Sequence, residues 1–164
     1  MRKSEFNKYA LNYIKAITAR GGDGYEEWEE YDNDFCQDCF SGWLNEQQRY
    51  TGKLYRGFRI DKENYSGYQV GEIIEQSDIY YNSFPSFTTS DPRAYGYIND
   101  YEVYTDDIVK IVFEVECSGK YAVDISKHSY YPQENEHKFV SNAKFEVVGI
   151  GNLGHINVIK LKEV

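Results

Sequence analysis

Cysteine, basic charge and long apolar runs are what this sequence has little of. Its cysteines are Cys36, Cys39 and Cys117, an odd and small set that excludes a disulfide-stapled scaffold and points to reduced thiols. Cys36 and Cys39 form a CxxC pair, but no second CxxC or paired histidines follow at finger spacing. Free, partly buried thiols are therefore expected, and no metal. No segment approaches the roughly 18–20 continuous apolar residues of a membrane helix. Glu5, Asn7 and Lys8 stand where a secretory apolar core would sit, so the chain is expected to be cytoplasmic and to avoid membranes. Lys and Arg total 18 against 27 Asp and Glu, for a net charge of -9. Such a surface repels phosphate backbones at long range, which argues against broad electrostatic capture of nucleic acid.

Internal repeats, low-complexity tracts and composition breaks are also missing, so residues 1–164 read as one domain. A chain of 164 residues, 41% of them hydrophobic, suits one packed core, whereas two halves would each be poorly buried. Its 17 Tyr and 9 Phe favour sheet surfaces and stacking sites over a Leu-rich bundle.

Along the chain, Phe6, Ala10, Tyr13, Ile14 and Ile17 fall at helical spacing within 4–20, with Gly21 and Gly22 as the stop. Residues 23–38 are crowded with acids around Trp28 and Tyr31, which reads as an acidic loop or short helix. A second helix is expected over 40–50, closed by Gly52. From Lys53 the pattern changes to short runs of Tyr, Phe, Val and Ile bounded by Gly, Asn, Asp or Pro. The clearest strand alternates Val109, Ile111, Phe113, Val115 and Cys117 with Lys110, Glu114 and Glu116. Others are expected near 53–60, 85–90, 120–125, 136–140, 144–150 and 155–162. Helices in 1–52 followed by strands in 53–164 predict an α+β fold, not a parallel βαβ sheet.

Three short segments could carry chemistry. In Leu54-Tyr55-Arg56-Gly57-Phe58 a cation interrupts an apolar strand, and a buried guanidinium needs an anion. Arg56 could grip a pyrophosphate while Gly57 admits a ligand close to the backbone; alone, Arg56 reads more readily as the partner of an acidic neighbour. Ser86-Phe87-Thr88-Thr89-Ser90 clusters neutral donors at a strand end, which alone is ordinary strand and helix-cap chemistry ahead of Asp91-Pro92 and a helical stretch from Arg93 to Ile98. In Tyr130-Tyr131-Pro132-Gln133-Glu134-Asn135-Glu136, an extended backbone would send the carboxylates of Glu134 and Glu136 to one side. Negative charge beside a ribose suits chemistry that builds positive charge on the sugar; alone, the pair reads as a polar turn with two solvated acids. The histidines His128, His137 and His155 suggest no role.

Taken in order, the segments resemble the arginine, Ser-Thr-Ser and Glu-x-Glu signature of the toxin-like mono-ADP-ribosyltransferases. The resemblance covers about residues 53–162 and is closest to the small phage-encoded members, whose Leu-Tyr-Arg-Gly and Ser-Phe-Thr-Thr-Ser runs look like those here. It implies N-terminal helices packed on two small, mainly antiparallel sheets around an NAD cleft, with NAD as co-substrate. By this resemblance Arg56 would hold the NAD phosphates and the Gly57 backbone the nicotinamide amide. Thr88, Thr89 and Ser90 would form the hydroxyl motif, with Phe87 beside them in the cofactor site and Ser90 or Thr88 positioning the catalytic carboxylate. Glu136 would be that carboxylate, stabilising the charge that develops as nicotinamide departs, and Glu134 would meet the acceptor. Tyr130, Tyr131 and Gln133 would belong to the turn that recognises the target, with Tyr131 as its exposed aromatic. Tyr97 or Tyr101 would stack on nicotinamide. The chain departs from the pattern in carrying Thr88 where Ser is usual, and in offering only Arg93 as a cation in the loop after Ser90.

A Glu at the first position of Glu-x-Glu goes with arginine acceptors in such families, which makes arginine in a protein the expected target and an antitoxin or inhibitor a conceivable partner. Modification of RNA or DNA bases by a toxin, NAD hydrolysis with water as acceptor, and a non-enzymatic aromatic-rich binding module are the competing readings.

Overall fold

The computed structural model of the protein describes residues 1–76, 85–91, 94 and 107–164. Helix α1 runs Lys3–Ala19 and buries Ala10, Tyr13 and Ile14. Gly21 follows at φ 80°, in the left-handed region where a side chain is costly. A single turn of helix, α2 (Tyr25–Trp28), leads through a 3-10 turn to α3, Asp34–Asn45.

Helix α3 therefore starts six residues before the expected position of the second helix. The Asn33 side chain accepts from the Cys36 backbone N–H at 2.9 Å, an N-cap inside the stretch that reads as an acidic loop or short helix. Cys36, Cys39, Phe40, Trp43 and Leu44 form the buried face, at the i, i+3, i+4, i+7, i+8 spacing of an amphipathic helix. The CxxC is one turn of that face: both thiols are free and buried, and burial pushes both up from their ordinary range. At the far end Arg49 donates to the carbonyls of Leu44, Asn45 and Gln47 and to that of Lys120, capping α3 and tying it to the sheet.

Among the described residues eight strands follow: β1 Thr51–Asp61, β2 Ile73–Glu75, β3 Phe87–Thr88, β4 Ile108–Ser118, β5 Ala122–Asp124, β6 Glu136–Phe139, β7 Lys144–Leu153 and β8 Ile156–Glu163. They lie in the order β2-β7-β8-β4-β1-β3-β6-β5. All neighbouring pairs are antiparallel except β4 with β8. The α+β class is as expected, and the two anticipated sheets are joined into one order by a narrow seam. Strand β1 keeps register with β4 from Thr51–Ser118 to Asp61–Ile108, but among the described residues meets β3 through one residue pair, Tyr55 with Thr88. Strand β2 lies outside the stretches expected as strand; its buried Ile74 pairs with Phe145.

The two parts of the sheet serve different cores. Leu54, Ile111, Phe113, Val115, Phe145, Ile159 and Leu161 make the larger one, with Phe87 and Phe139 reaching it from the short strands. Val123, Ile125 and Val140 instead pack under α1 and α3, against Ala10, Ile14, Phe40 and Leu44. Burying a side chain of this size stabilises by about 1.5–3 kcal/mol. The last strand is pinned by Glu163, which is buried and accepts from the backbone N–H groups of Ser118, Lys120 and Tyr121 and from the Ser118 hydroxyl. Among the described residues no helix is long and apolar enough to cross a membrane.

Candidate active site

The site is built on β6, one strand beyond the seam. A 3-10 turn over Pro132–Glu134 ends at Asn135, which adopts φ 52° and ψ 45°. Asn tolerates this left-handed conformation better than most residues, and it redirects the chain into β6. Extended backbone begins at Glu136, so the expectation that one strand aligns Glu134 with Glu136 needs correction: the first belongs to the turn and the second opens the strand. Side chains directly across a ladder share a face. Glu136 lies across from Thr88, and Thr88 across from Tyr55, which puts the three on one face.

Arg56, the next residue after Tyr55 on β1, points to the other face, and Ser86 joins the arginine strand to the carboxylate strand through its backbone carbonyl on one side and its hydroxyl on the other. Arg56 donates through Nη1 to the Ser86 carbonyl at 2.9 Å. Lys138 Nζ donates to Ser86 Oγ at 2.8 Å and lies 3.3 Å from Glu136 Oε2. The two charged side chains are 4% and 9% exposed, so this is a buried ion pair, strongly destabilised if one partner is lost. Glu136 Oε2 accepts no hydrogen bond among the described residues, and the Lys138 ammonium is the group that offsets its burial. Burial drives the Lys138 pKa down, the Glu136 carboxylate works against that, and the Arg56 and Arg20 guanidiniums add to the depression.

The hydroxyl motif divides among different tasks. Thr88 Oγ1 donates to the Glu134 carbonyl at 2.9 Å and receives the Ser90 N–H at 3.2 Å. It thus fixes the turn ahead of Glu136, while the contact to the carboxylate itself comes from Lys138. Phe87 is a core residue, 1% exposed, its ring edge-on to Phe139 at 4.8 Å; it backs β3 from behind. Thr89 is exposed, Ser90 half-buried and Gly57 buried. Tyr97, Tyr101 and Arg93 lie outside the described residues.

The turn before β6 is fastened to the end of α1. Tyr130 N–H donates to Thr18 Oγ1 at 2.8 Å, and Lys15 Nζ to the Ser129 carbonyl at 3.1 Å. Tyr130 and Tyr131 meet edge to face at 4.8 Å. A Cβ at Gly24 would overlap the end of the Tyr130 ring, and one at Gly22 the Tyr131 hydroxyl, so the Gly-rich loop after α1 is shaped around these rings. Tyr131 is consequently half-buried, where the sequence suggested an exposed aromatic, and Gln133 is the exposed member. Nearby, Arg20 donates twice to Asp32, at 2.8 and 2.5 Å, and Tyr25 donates to the same carboxylate at 2.7 Å.

Two residues of the site escaped the sequence reading. Lys138 follows Glu136 by two and is therefore on its face, a relation visible in the strand period although nothing announced that an ammonium would be buried. His137, 2% exposed, points to the other face: its Nδ1 is 2.8 Å from the Asn135 carbonyl, so Nδ1 carries the hydrogen. The Nε2 atom has no hydrogen-bond partner among the described residues. Tyr50 stacks edge-on to His137 at 4.5 Å and also lines a pocket of about 520 Å³ with Trp43, Gln47, Arg49, Asp124 and Lys127. That pocket is lined by none of the motif residues.

A guanidinium, an ammonium and a carboxylate held in one polar chain, on strands from distant parts of the sequence, sit in a fold shared with the ADP-ribosyltransferases. The ADP-ribosyltransferase Vis in complex with agmatine is 21% identical and superposes with a TM-score of 0.59, over 97% of this chain and 68% of that one. HopU1 of Pseudomonas syringae pv. Tomato DC3000 is 17% identical at a TM-score of 0.58, with coverages of 99% and 82%. Plx2a, an ADP-ribosyltransferase toxin from Paenibacillus larvae, is 13% identical at 0.61, over 99% and 92%. No family model matches the chain, and no curated protein does.

Proposed function

We propose that the protein is a mono-ADP-ribosyltransferase that breaks the nicotinamide–ribose bond of NAD and passes ADP-ribose to an arginine side chain of another protein. The observation that supports this reading is the chain Arg56–Ser86–Lys138–Glu136, which links the motif arginine to the motif carboxylate through one residue, Ser86. A guanidinium and an ammonium meeting at Ser86, the ammonium against a buried carboxylate, suit a dinucleotide, whose pyrophosphate is anionic and whose ribose turns cationic as nicotinamide departs.

In this reading Arg56 binds the phosphates through its planar fork, and the Gly57 backbone receives the nicotinamide amide. Glu136 accepts from the 2′-hydroxyl of the nicotinamide ribose and stabilises the positive charge that develops on the sugar. Thr88, Thr89 and Ser90 hold the turn and the strand end, and Tyr97 or Tyr101 stacks on the departing ring. Glu134 meets the acceptor and removes or orients a guanidinium proton, with Tyr130, Tyr131 and Gln133 forming the surrounding recognition turn. The first-position Glu supports arginine as acceptor, as does the agmatine bound by Vis, because agmatine presents the same guanidinium as an arginine side chain. The phage-type motif runs fit an enzyme acting in the cytoplasm of the cell that makes it, under an antitoxin or inhibitor.

Incubating the purified protein with labelled NAD and cell lysate, then digesting separately with protease and nuclease, tests the reading. Label lost to protease is the expected result. Label lost to nuclease would establish a nucleic-acid acceptor, and free nicotinamide without labelled macromolecule would establish a glycohydrolase. Binding at 100 times the dissociation constant stabilises a fold by about 2.7 kcal/mol, so the absence of any thermal shift with saturating NAD would leave only a binding module.

A further inference from the structure

Strand β6 buries its first three residues although none is apolar: Glu136, His137 and Lys138 are 7%, 2% and 3% exposed. Lysine is among the residues least often buried, and removing its ammonium from water is costly unless a charge meets it. Here the ammonium is shared between Glu136 Oε2 and Ser86 Oγ, and the Ser86 carbonyl in turn takes the Arg56 guanidinium. Glu136 and Lys138 are two apart on one strand and so share a face. The Lys138 ammonium is thus the one charged contact the described residues make to the proposed catalytic carboxylate, and it also binds that carboxylate's strand to the residue on which Arg56 rests.

We propose that Lys138 is a positioning residue: by holding Oε2 of Glu136 and the hydroxyl of Ser86 together, it fixes the carboxylate's direction and its spacing from Arg56. This rests on the transferase reading. A long glutamate side chain has three soft torsions, and a charge-assisted contact at one oxygen removes most of that freedom. The other oxygen is then left to the ribose. A group that acts by aiming another should change turnover more than substrate affinity, and its effect should vanish once the group it aims is disabled.

The test is a double-mutant cycle on nicotinamide release, with Lys138→Met, Lys138→Arg, Glu136→Gln and the pair Glu136→Gln/Lys138→Met. Expected are a kcat for Lys138→Met at least about tenfold below wild type with KM for NAD within about threefold, and substantial recovery in Lys138→Arg. Glu136→Gln and the double variant should turn over at the same residual rate. ADP-ribose affinity, read by calorimetry without turnover, should be unchanged in Lys138→Met. Should Lys138→Met fail to fold, Lys138→Gln, whose amide can still donate to Ser86 Oγ, takes its place in the cycle. The proposal is overturned if the lysine change leaves kcat intact, if Lys138→Arg is as impaired as Lys138→Met, or if the lysine change lowers Glu136→Gln as much as it lowers wild type. A wild-type protein that releases no nicotinamide would overturn the transferase reading and this one with it, whereas normal wild-type release with an additive cycle removes the role of Lys138 alone.

Discussion

Strands β4 and β6 are both largely buried, and they are buried for opposite purposes. Strand β4 removes Ile111, Val112, Phe113 and Val115 from water, each at 0% exposure, in a ladder continuous with β1 on one side and β8 on the other. Strand β6 spends its burial on a carboxylate, an imidazole and an ammonium before reaching Phe139. Apolar burial stabilises in proportion to area, whereas buried charge at best breaks even with a hydrophobic replacement. Strand β4 adds stability, and in the proposed transferase that surplus offsets the cost of the polar side chains that β6 buries. The seam between β1 and β3 is where the two regimes meet.

The comparison can be broken at either strand. The largest effect is expected in the frame: Phe113→Ala should lose about 3–5 kcal/mol of unfolding free energy, measured in denaturant, without changing turnover per folded molecule. A comparable loss of specific activity in the folded fraction would mean that frame and site are not separable. Next is Glu134→Gln, which should lower transfer to agmatine at least about tenfold while NAD hydrolysis stays within about threefold, measured as labelled agmatine against free nicotinamide. Equal losses in both would place Glu134 in bond breaking instead of acceptor capture.

The smallest effect belongs to the Arg20–Asp32 ion pair at the end of α1. The Arg20 guanidinium, with the Tyr25 hydroxyl, holds the Asp32 carboxyl below its ordinary range. A depressed carboxylate stabilises the fold above its unfolded pKa, and the contribution is lost as pH falls through the folded value. Because the Arg20 side chain is 42% exposed, Asp32→Asn should cost no more than about 1 kcal/mol at pH 7, and the gap to wild type should close as the medium is acidified past that depressed value. A gap that persisted in strong acid would assign the effect to packing.

The strand frame was legible because its signal is the two-residue period: the alternation from Val109 to Cys117 required only that one face be dry. Helix α3 was half legible. Its core face from Cys36 to Leu44 follows helical spacing, but Asp34 and Asp38 on the outer side disguised its first turn as an acidic loop, and the Asn33 cap was overlooked. In the site, the motif residues were readable as a pattern, and the structure brings Arg56, Thr88 and Glu136 to neighbouring strands. What the pattern could not give was connectivity. Asn135 in the left-handed conformation separates Glu134 from the strand that carries Glu136, and Lys138 becomes a partner of Glu136 only when the core around β6 closes over it. Both are consequences of tertiary packing, to which local spacing is blind.

The most direct measurement is nicotinamide release from saturating NAD by wild type and Glu136→Gln at equal folded concentration, with ADP-ribose affinity determined alongside. The account predicts a loss of at least about a hundredfold in turnover with ADP-ribose affinity retained. Equal rates in the two proteins would contradict it.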